Sequence, residues 1–338
     1  MAPRTKKLIN QPATILSDML EGFAAAYPDI VRLTDTGLIV RAQPKAAGKV
    51  GLVIGNGSGH EPAMIGLVGQ GLFDVNIPGE IFAAPGPGRI LEGIKAADHG
   101  AGVLVCVSHH AGDLMNAEMA LELCEMEGLE KVEMVVLYDD ISSAPKGHEP
   151  ERRGTAGLFF TWKMLGAYAE TDATLAQCKA MAEKIRDNTR TLSVAITPGT
   201  NPVSGAVMFQ LPDDEIEVGM GVHGEIGQGR QKLVSADQTI NTLLPPILED
   251  LPFRAGDEVL VFLNNSGSMT QMELFILYRR VAQRLQEAGI QVYKTYIGPY
   301  ATTQEMAGFA LSLCRVDDEL KMLWDAPAIG ANVRIVQP

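Results

Sequence analysis

Between Lys49 and Tyr138 the apolar positions fall in short blocks separated by polar, glycine-bearing loops. The β-branched block Val50–Ile54 predicts a buried strand. The pattern then predicts helices over Ala63–Gly69 and Arg89–Asp98, a strand over Gly102–Val107, a helix over Leu114–Glu127 and a strand over Val132–Tyr138. Strands alternating with helices imply a mainly parallel sheet, whose ligand-binding loops lie beyond the carboxyl ends of its strands. Two further helices are expected over Gly154–Glu170 and Thr174–Arg190. Strands over Leu192–Ile196, Val259–Leu263 and Gln291–Tyr296 follow, with a helix over Thr270–Ala288. The predicted fold class is α/β, with two packed α/β domains, residues 1–190 and 191–338, and a mainly parallel sheet in the first. Along Thr270–Ala288 the residues Met272, Phe275, Ile276, Tyr278, Val281 and Leu285 form a stripe expected to face the core.

Composition narrows the function. The 338 residues are 46% hydrophobic and carry a net charge of −13, which suits a well-packed core and disfavours a sequence-independent grip on nucleic acid or on an anionic membrane. Cys106, Cys124, Cys178 and Cys314 are too scattered for a CxxC metal site or a disulfide framework, so they are expected as reduced, buried thiols. The basic residues near the amino terminus are not followed by an apolar stretch of the signal-peptide kind. Nor does any run of about 18 uncharged apolar residues occur, so a cytoplasmic protein is expected.

The chemistry concentrates in glycine-flanked histidines. Gly57-Ser58-Gly59-His60 follows the first strand, and Gly219-Met220-Gly221-Val222-His223-Gly224-Glu225 lies in the second half. Small neighbours let a ligand approach an imidazole closely. The first loop is not a dinucleotide fingerprint, because the third glycine of GxGxxG would stand at His60, and Gly48-Lys49 is followed by Val50, which rules out a P-loop. Asp113, at the turn Ser108-His109-His110-Ala111-Gly112-Asp113, reads equally as a helix cap or as an acid/base group. His60, His109, His110, Asp113 and Asp139 lack the spacing of HExxH and stand in loops poor in cysteine, so no metal site is expected. Arg152-Arg153-Gly154 before an apolar helix reads as an anion site or a solvated basic pair. Asn264-Asn265-Ser266-Gly267-Ser268 reads as site architecture or a subunit contact.

Taken in order, Gly55–Pro62, Gly79–Phe82, Gly112-Asp113, Arg152–Gly154, Gly221–Glu225, Ala236–Thr239, Val261–Asn265, Val316–Glu319 and Leu323–Pro327 closely resemble the substrate-binding K subunit of the dihydroxyacetone kinase family. The resemblance covers essentially the whole chain. It implies a homodimeric protein of the K-subunit fold that binds a short-chain ketose and no cofactor of its own. ATP and Mg²⁺ are expected on a separate nucleotide-binding L subunit. By the same resemblance His223 matches the histidine that holds the substrate carbonyl as a hemiaminal, His60 and Asp113 match the acid/base pair, and Gly57, Ser58, Gly59 and Ser108 line the substrate. Where the family typically has a lysine this chain has Ser108, and Gly86 replaces a polar residue, which points to a longer ketose such as D- or L-erythrulose. A third reading is a non-catalytic ketose sensor or co-activator, which would need only His223.

Overall fold

The computed structural model describes residues 5–336. The chain divides into two compact units, one of Leu8–Leu137, Phe159–Arg186 and Leu320–Pro338, the other of Met1–Lys7, Tyr138–Leu158 and Asp187–Glu319. A single boundary near Arg190 therefore describes only one crossing, at Arg186/Asp187. The segment Tyr138–Leu158 has already left the first unit, and the chain returns to it at Leu320. A contiguous split misses this because the hydrophobic pattern reports elements, not the unit that each element completes.

The first unit holds a six-stranded sheet of β1 (Val31–Leu33), β2 (Ile39–Arg41), β3 (Gly51–Ser58), β4 (Val75–Ile81), β5 (Val103–Ser108) and β6 (Val132–Leu137), in the order β1-β2-β4-β3-β5-β6. The pairs β3/β4, β3/β5 and β5/β6 are parallel, while β1 and β2 add an antiparallel edge. Its helices are α1 (Ile15–Ala26), α2 (Pro87–Ala97), α3 (Ala111–Met126), α4 (Leu158–Tyr168) and α5 (Leu175–Asp187). Val53, Val105 and Val107 form one core with Ile90 and Ile94 of α2 and Ala117 and Ala120 of α3. Cys106, out of phase with Val105, turns instead towards Cys178 of α5. All four cysteines are free thiols, as expected.

The segment read as a helix over Ala63–Gly69 is a turn with one 3₁₀ stretch, Ile65–Leu67. Gly69, at φ +151°, lies so close to the Ile329 carbonyl that a β-carbon would sit 2.0 Å from its oxygen, so the backbone there serves close packing and not a helix.

The second unit holds β7 (Thr189–Thr197), β8 (Glu215–Val218), β9 (Gly229–Lys232), β10 (Glu258–Asn265), β11 (Gln291–Gly298) and β12 (Ala307–Val316), in the order β11-β10-β12-β7-β8-β9. Only β10/β11 is parallel. Helices α6 (Ala236–Asp250) and α7 (Gln271–Glu287) cover one face, each opened by a capping box, Ser235 with Gln238 and Thr270 with Glu273. The last helix, α8 (Asp318–Asp325), leads back into the first unit.

The inward face of α7 is Leu274, Leu277, Val281 and Leu285. Met272, Phe275 and Ile276, expected in the core, are exposed at 67%, 58% and 44%. Two apolar stripes one residue out of phase run along the same helix, and only one can face the sheet. No helix among the described residues is long and apolar enough to cross a membrane.

Candidate functional site

In the first unit the loops after the adjacent parallel strands β3 and β5 carry the first set of candidates. Ile54 and Cys106 are register partners, so both strands deliver their loops at the same sheet edge. Gly57 lies against the backbone of Phe82 and Ala83, where a β-carbon would come within 2.7 Å of the Ala83 nitrogen. Gly59, at φ +107°, sits against the Phe82 ring, and its N–H donates to Glu61 Oε1 at 2.9 Å. Ser58 is buried and its hydroxyl donates to the Gly79 carbonyl at 2.7 Å. His60 is buried and packs its ring against Phe82, centroids 5.2 Å apart. Burial raises the Glu61 carboxyl above its ordinary range.

Ser108, also buried, ends β5. His110 occupies the N-cap position of α3, and Asp113 lies in its first turn. The amino end of a helix favours negative charge at Asp113. Gly86, which caps α2, has open space where a side chain would start.

In the second unit the loop after β8 carries His223. Gly219 and Gly224 take φ of +77° and +87°, and the Gly221 N–H donates to the Glu225 carbonyl. Ser193 Oγ donates to the Met220 carbonyl at 2.8 Å and Thr303 Oγ1 to that of Val222 at 2.9 Å, so the backbone on either side of Gly221 is pinned to the unit. The Thr303 N–H in turn donates to the Ser266 carbonyl. Asn265 folds this last loop, its Oδ1 accepting from the N–H groups of Gly267 and Met269. The segment Asn264–Ser268 is thereby tied, through Thr303, to the loop that carries His223.

Glu225 completes the loop. Its Oε2 accepts the His223 N–H at 2.8 Å and its Oε1 lies 3.0 Å from His223 Nδ1. Burial alone would raise this carboxyl, but the hydrogen bond and charge of His223, with backbone N–H groups, hold it down at about 2. An ionised carboxylate only accepts, so Nδ1 is the ring nitrogen that donates to Glu225.

The arginine pair is neither an anion site nor solvated. Arg152 is buried and forks onto both carboxylate oxygens of Asp250, which Arg190 also binds. Arg153 Nε donates to Asp140 Oδ2 at 3.0 Å, and its Nη2 donates to the Gly219 carbonyl at 2.9 Å. Asp139 and Asp140, which fall at a strand end in the sequence, are buried structural carboxylates. Asp139 accepts from the backbone N–H groups of Thr155 and Gly157 and from the Thr155 hydroxyl, and burial pushes it up to about 6. Sequence reasoning named Arg153 but not its partners, because nothing in a basic pair says which carboxylate or backbone it will meet.

The described residues thus form two α/β units, each with a glycine-flanked histidine loop. Residues 21–331 match the Dak1 domain, and the chain belongs to that family. It is 41% identical over 314 residues to the PTS-dependent dihydroxyacetone kinase 1, dihydroxyacetone-binding subunit DhaK, of Listeria innocua serovar 6a, covering 93% of this chain and 95% of that one. It is 38% identical to the L-erythrulose kinase of Pectobacterium atrosepticum, over 95% of this chain but only 55% of that longer protein. Among solved structures, the dihydroxyacetone kinase operon co-activator Dha-DhaQ superposes with a TM-score of 0.85 at 29% identity, covering 92% of this chain and 95% of that one.

Proposed function

We propose that this chain is the ketose-binding, catalytic K-type subunit of a short-chain ketose kinase. Its phosphoryl group comes from a separate L-type subunit that carries ATP and Mg²⁺. The observation that carries the reading is the His223–Glu225 pair in a loop with Gly221 and Gly224: a neutral imidazole that donates from Nδ1 to a carboxylate carries its lone pair on Nε2. A carbonyl is the electrophile such a nitrogen takes. The Nε2–C bond forms as the C=O π bond opens, the oxygen takes up a proton and the ring releases its Nδ1 proton. Glu225 stabilises the positive charge that builds on the ring in between. Glycerol has no carbonyl, so covalent capture separates ketoses from polyols where hydroxyl recognition alone discriminates poorly.

In this reading His60 and Asp113 serve as the acid/base pair for the reacting hydroxyl, which is worth roughly 10²–10⁴ in rate. Gly57, Ser58, Gly59 and Ser108 supply close-approach backbone and small polar contacts. The short, buried Ser108 and the open space beside Gly86 favour a tetrulose such as erythrulose as the preferred sugar. The protein acts as a cytoplasmic homodimer, and the exposed Met272, Phe275 and Ile276 are the kind of apolar surface that a second subunit covers.

The test is calorimetric titration of the wild-type protein and His223→Ala with dihydroxyacetone, D-erythrulose, L-erythrulose and glycerol. Ketose binding that disappears in the variant, with glycerol silent throughout, supports capture and ranks the sugars; undiminished binding in the variant rejects the role of His223. Adding an L-type subunit and ATP separates a kinase from a sensor, since a sensor yields no ketose phosphate.

A further inference from the structure

The capture loop is held from beneath by a residue that touches neither His223 nor any position expected to meet the sugar. Arg153 is 14% exposed, and its backbone is fixed on three sides. Its carbonyl accepts from the N–H groups of Asp139 and Asp140, and its own N–H donates to Ser143 Oγ at 2.9 Å. From this anchored base the guanidinium divides its work. Nε and Nη2 pair with the buried Asp140, and Nη2 also reaches the Gly219 carbonyl, whose second donor is Ser142 Oγ at 2.9 Å. Ser142 is oriented by Asp140 Oδ1 in turn.

The remaining nitrogen faces the catalytic pair. A β-carbon built on Gly221 would lie 2.6 Å from Arg153 Nη1 and 2.2 Å from Glu225 Oε2, so the cation and the carboxylate crowd one point beside the Gly221 α-carbon. This requires glycine at 221 for a reason unrelated to turn geometry. The two distances put the guanidinium within about 5 Å of the Glu225 carboxylate, across the Gly221 α-carbon.

We propose that Arg153 is a positioning residue for ketose capture, locking the Gly219 turn that opens the His223 loop and thereby keeping Glu225 where it accepts the His223 Nδ1 proton and leaves the nucleophilic lone pair on Nε2. The inference rests on the capture reading above and deepens it. An arginine is needed because one planar fork serves Asp140, Gly219 and the Gly221–Glu225 corner together, whereas a lysine is a single point charge.

Two variants test it, Arg153→Lys and the double variant Arg153→Gln/Asp140→Asn, the second leaving no buried carboxylate without a counter-charge. In the ligand-free protein, ¹⁵N NMR of the imidazoles gives the His223 tautomer directly. The wild type is expected to be Nδ1–H, and both variants a mixture with Nε2–H. In turnover with an L-type subunit and ATP, KM for the ketose is expected to rise on the order of tenfold to a hundredfold, as for a misplaced reacting group, with kcat changed far less. Ser142→Ala removes one donor to Gly219 and no charge; it gives the same shift to a smaller degree and serves where the arginine variants do not fold. Folded variants with the wild-type tautomer and KM overturn the proposal. A fall in kcat at constant KM, the mark of a smaller active fraction, overturns it too. The tautomer measurement needs no sugar, so a His223→Ala protein that still binds ketose would sink the capture reading separately.

Discussion

Replacing Glu225 by glutamine keeps the shape of the His223 partner and removes its charge. The carboxyl is held at about 2 against an ordinary 4.5, a difference that corresponds to ~3 kcal/mol at most in favour of the ionised form. The side chain is 36% exposed, and solvent screening reduces that to about 1–1.5 kcal/mol. The same figure follows from exchanging a charge-assisted hydrogen bond for a neutral one. Glu225→Gln is therefore expected to weaken ketose binding about tenfold, since 1.4 kcal/mol is one decade in affinity. The glutamine carbonyl still accepts from Nδ1, so capture is weakened and not abolished. Isothermal titration of wild type, Glu225→Gln and His223→Ala with dihydroxyacetone and both erythruloses gives the three affinities side by side. An affinity within twofold of wild type would show that Glu225 does not prepare the ring. A loss as complete as in His223→Ala would show that the carboxylate itself binds the sugar, and either result refutes the reasoning.

Gly221→Ala brings a β-carbon against Arg153 and Glu225, and a loss of ketose affinity of at least about tenfold is expected with little change in melting temperature, read by calorimetry and thermal unfolding. Asp139, fully buried and raised to about 6, binds its proton more tightly folded than unfolded. The stability it contributes is therefore present below about pH 4 and is lost, by up to ~3 kcal/mol, as pH rises through about 6. Urea unfolding at pH 4.5 and pH 7 is expected to show that slope in wild type and its removal in Asp139→Asn, at some cost in overall stability from the lost acceptors. Lys163 is buried and donates to the carbonyls of Leu323 and Ala326 at the end of α8; Lys163→Met strands both and is expected to cost about 2–4 kcal/mol by denaturant titration at pH 7. For the homodimer proposed above, Phe275→Glu is expected to lower the mass in light scattering from that of a dimer to that of a monomer, and an unchanged mass rejects the exposed flank of α7 as the contact.

The parallel core β3, β5 and β6 was legible because each strand is a short apolar block bounded by glycine or polar loops, and the site loops followed from the strand ends. Strand β4 was not, since Val75-Asn-Ile-Pro-Gly-Glu-Ile81 carries Pro78 and Gly79 within a buried central position. The short strands β8 and β9 owe their form to pairing, β8 with β7 and the edge strand β9 with β8. Among the candidate site residues, glycine spacing singled out His60 and His223. Arg153 and Asp140 act through tertiary hydrogen bonds between distant segments, which leave no periodic trace in sequence. The exposed flank of α7 was misread because a periodicity identifies an apolar stripe without saying what will cover it.

The return of the chain to its first unit at Leu320 sets a timetable for synthesis. Trp324 packs against Phe159 and Phe160, ring centroids 5.9 and 5.7 Å away, and the carbonyls that Lys163 needs belong to the same late segment. A ribosome making about 5–20 residues per second needs roughly 15–60 s to travel from Val31 in β1 to Trp324. Throughout that interval the aromatic face of α4 lacks its last partner. The nascent chain thus carries an open apolar surface until Trp324 has been made, which makes it a customer for chaperones that act during that interval.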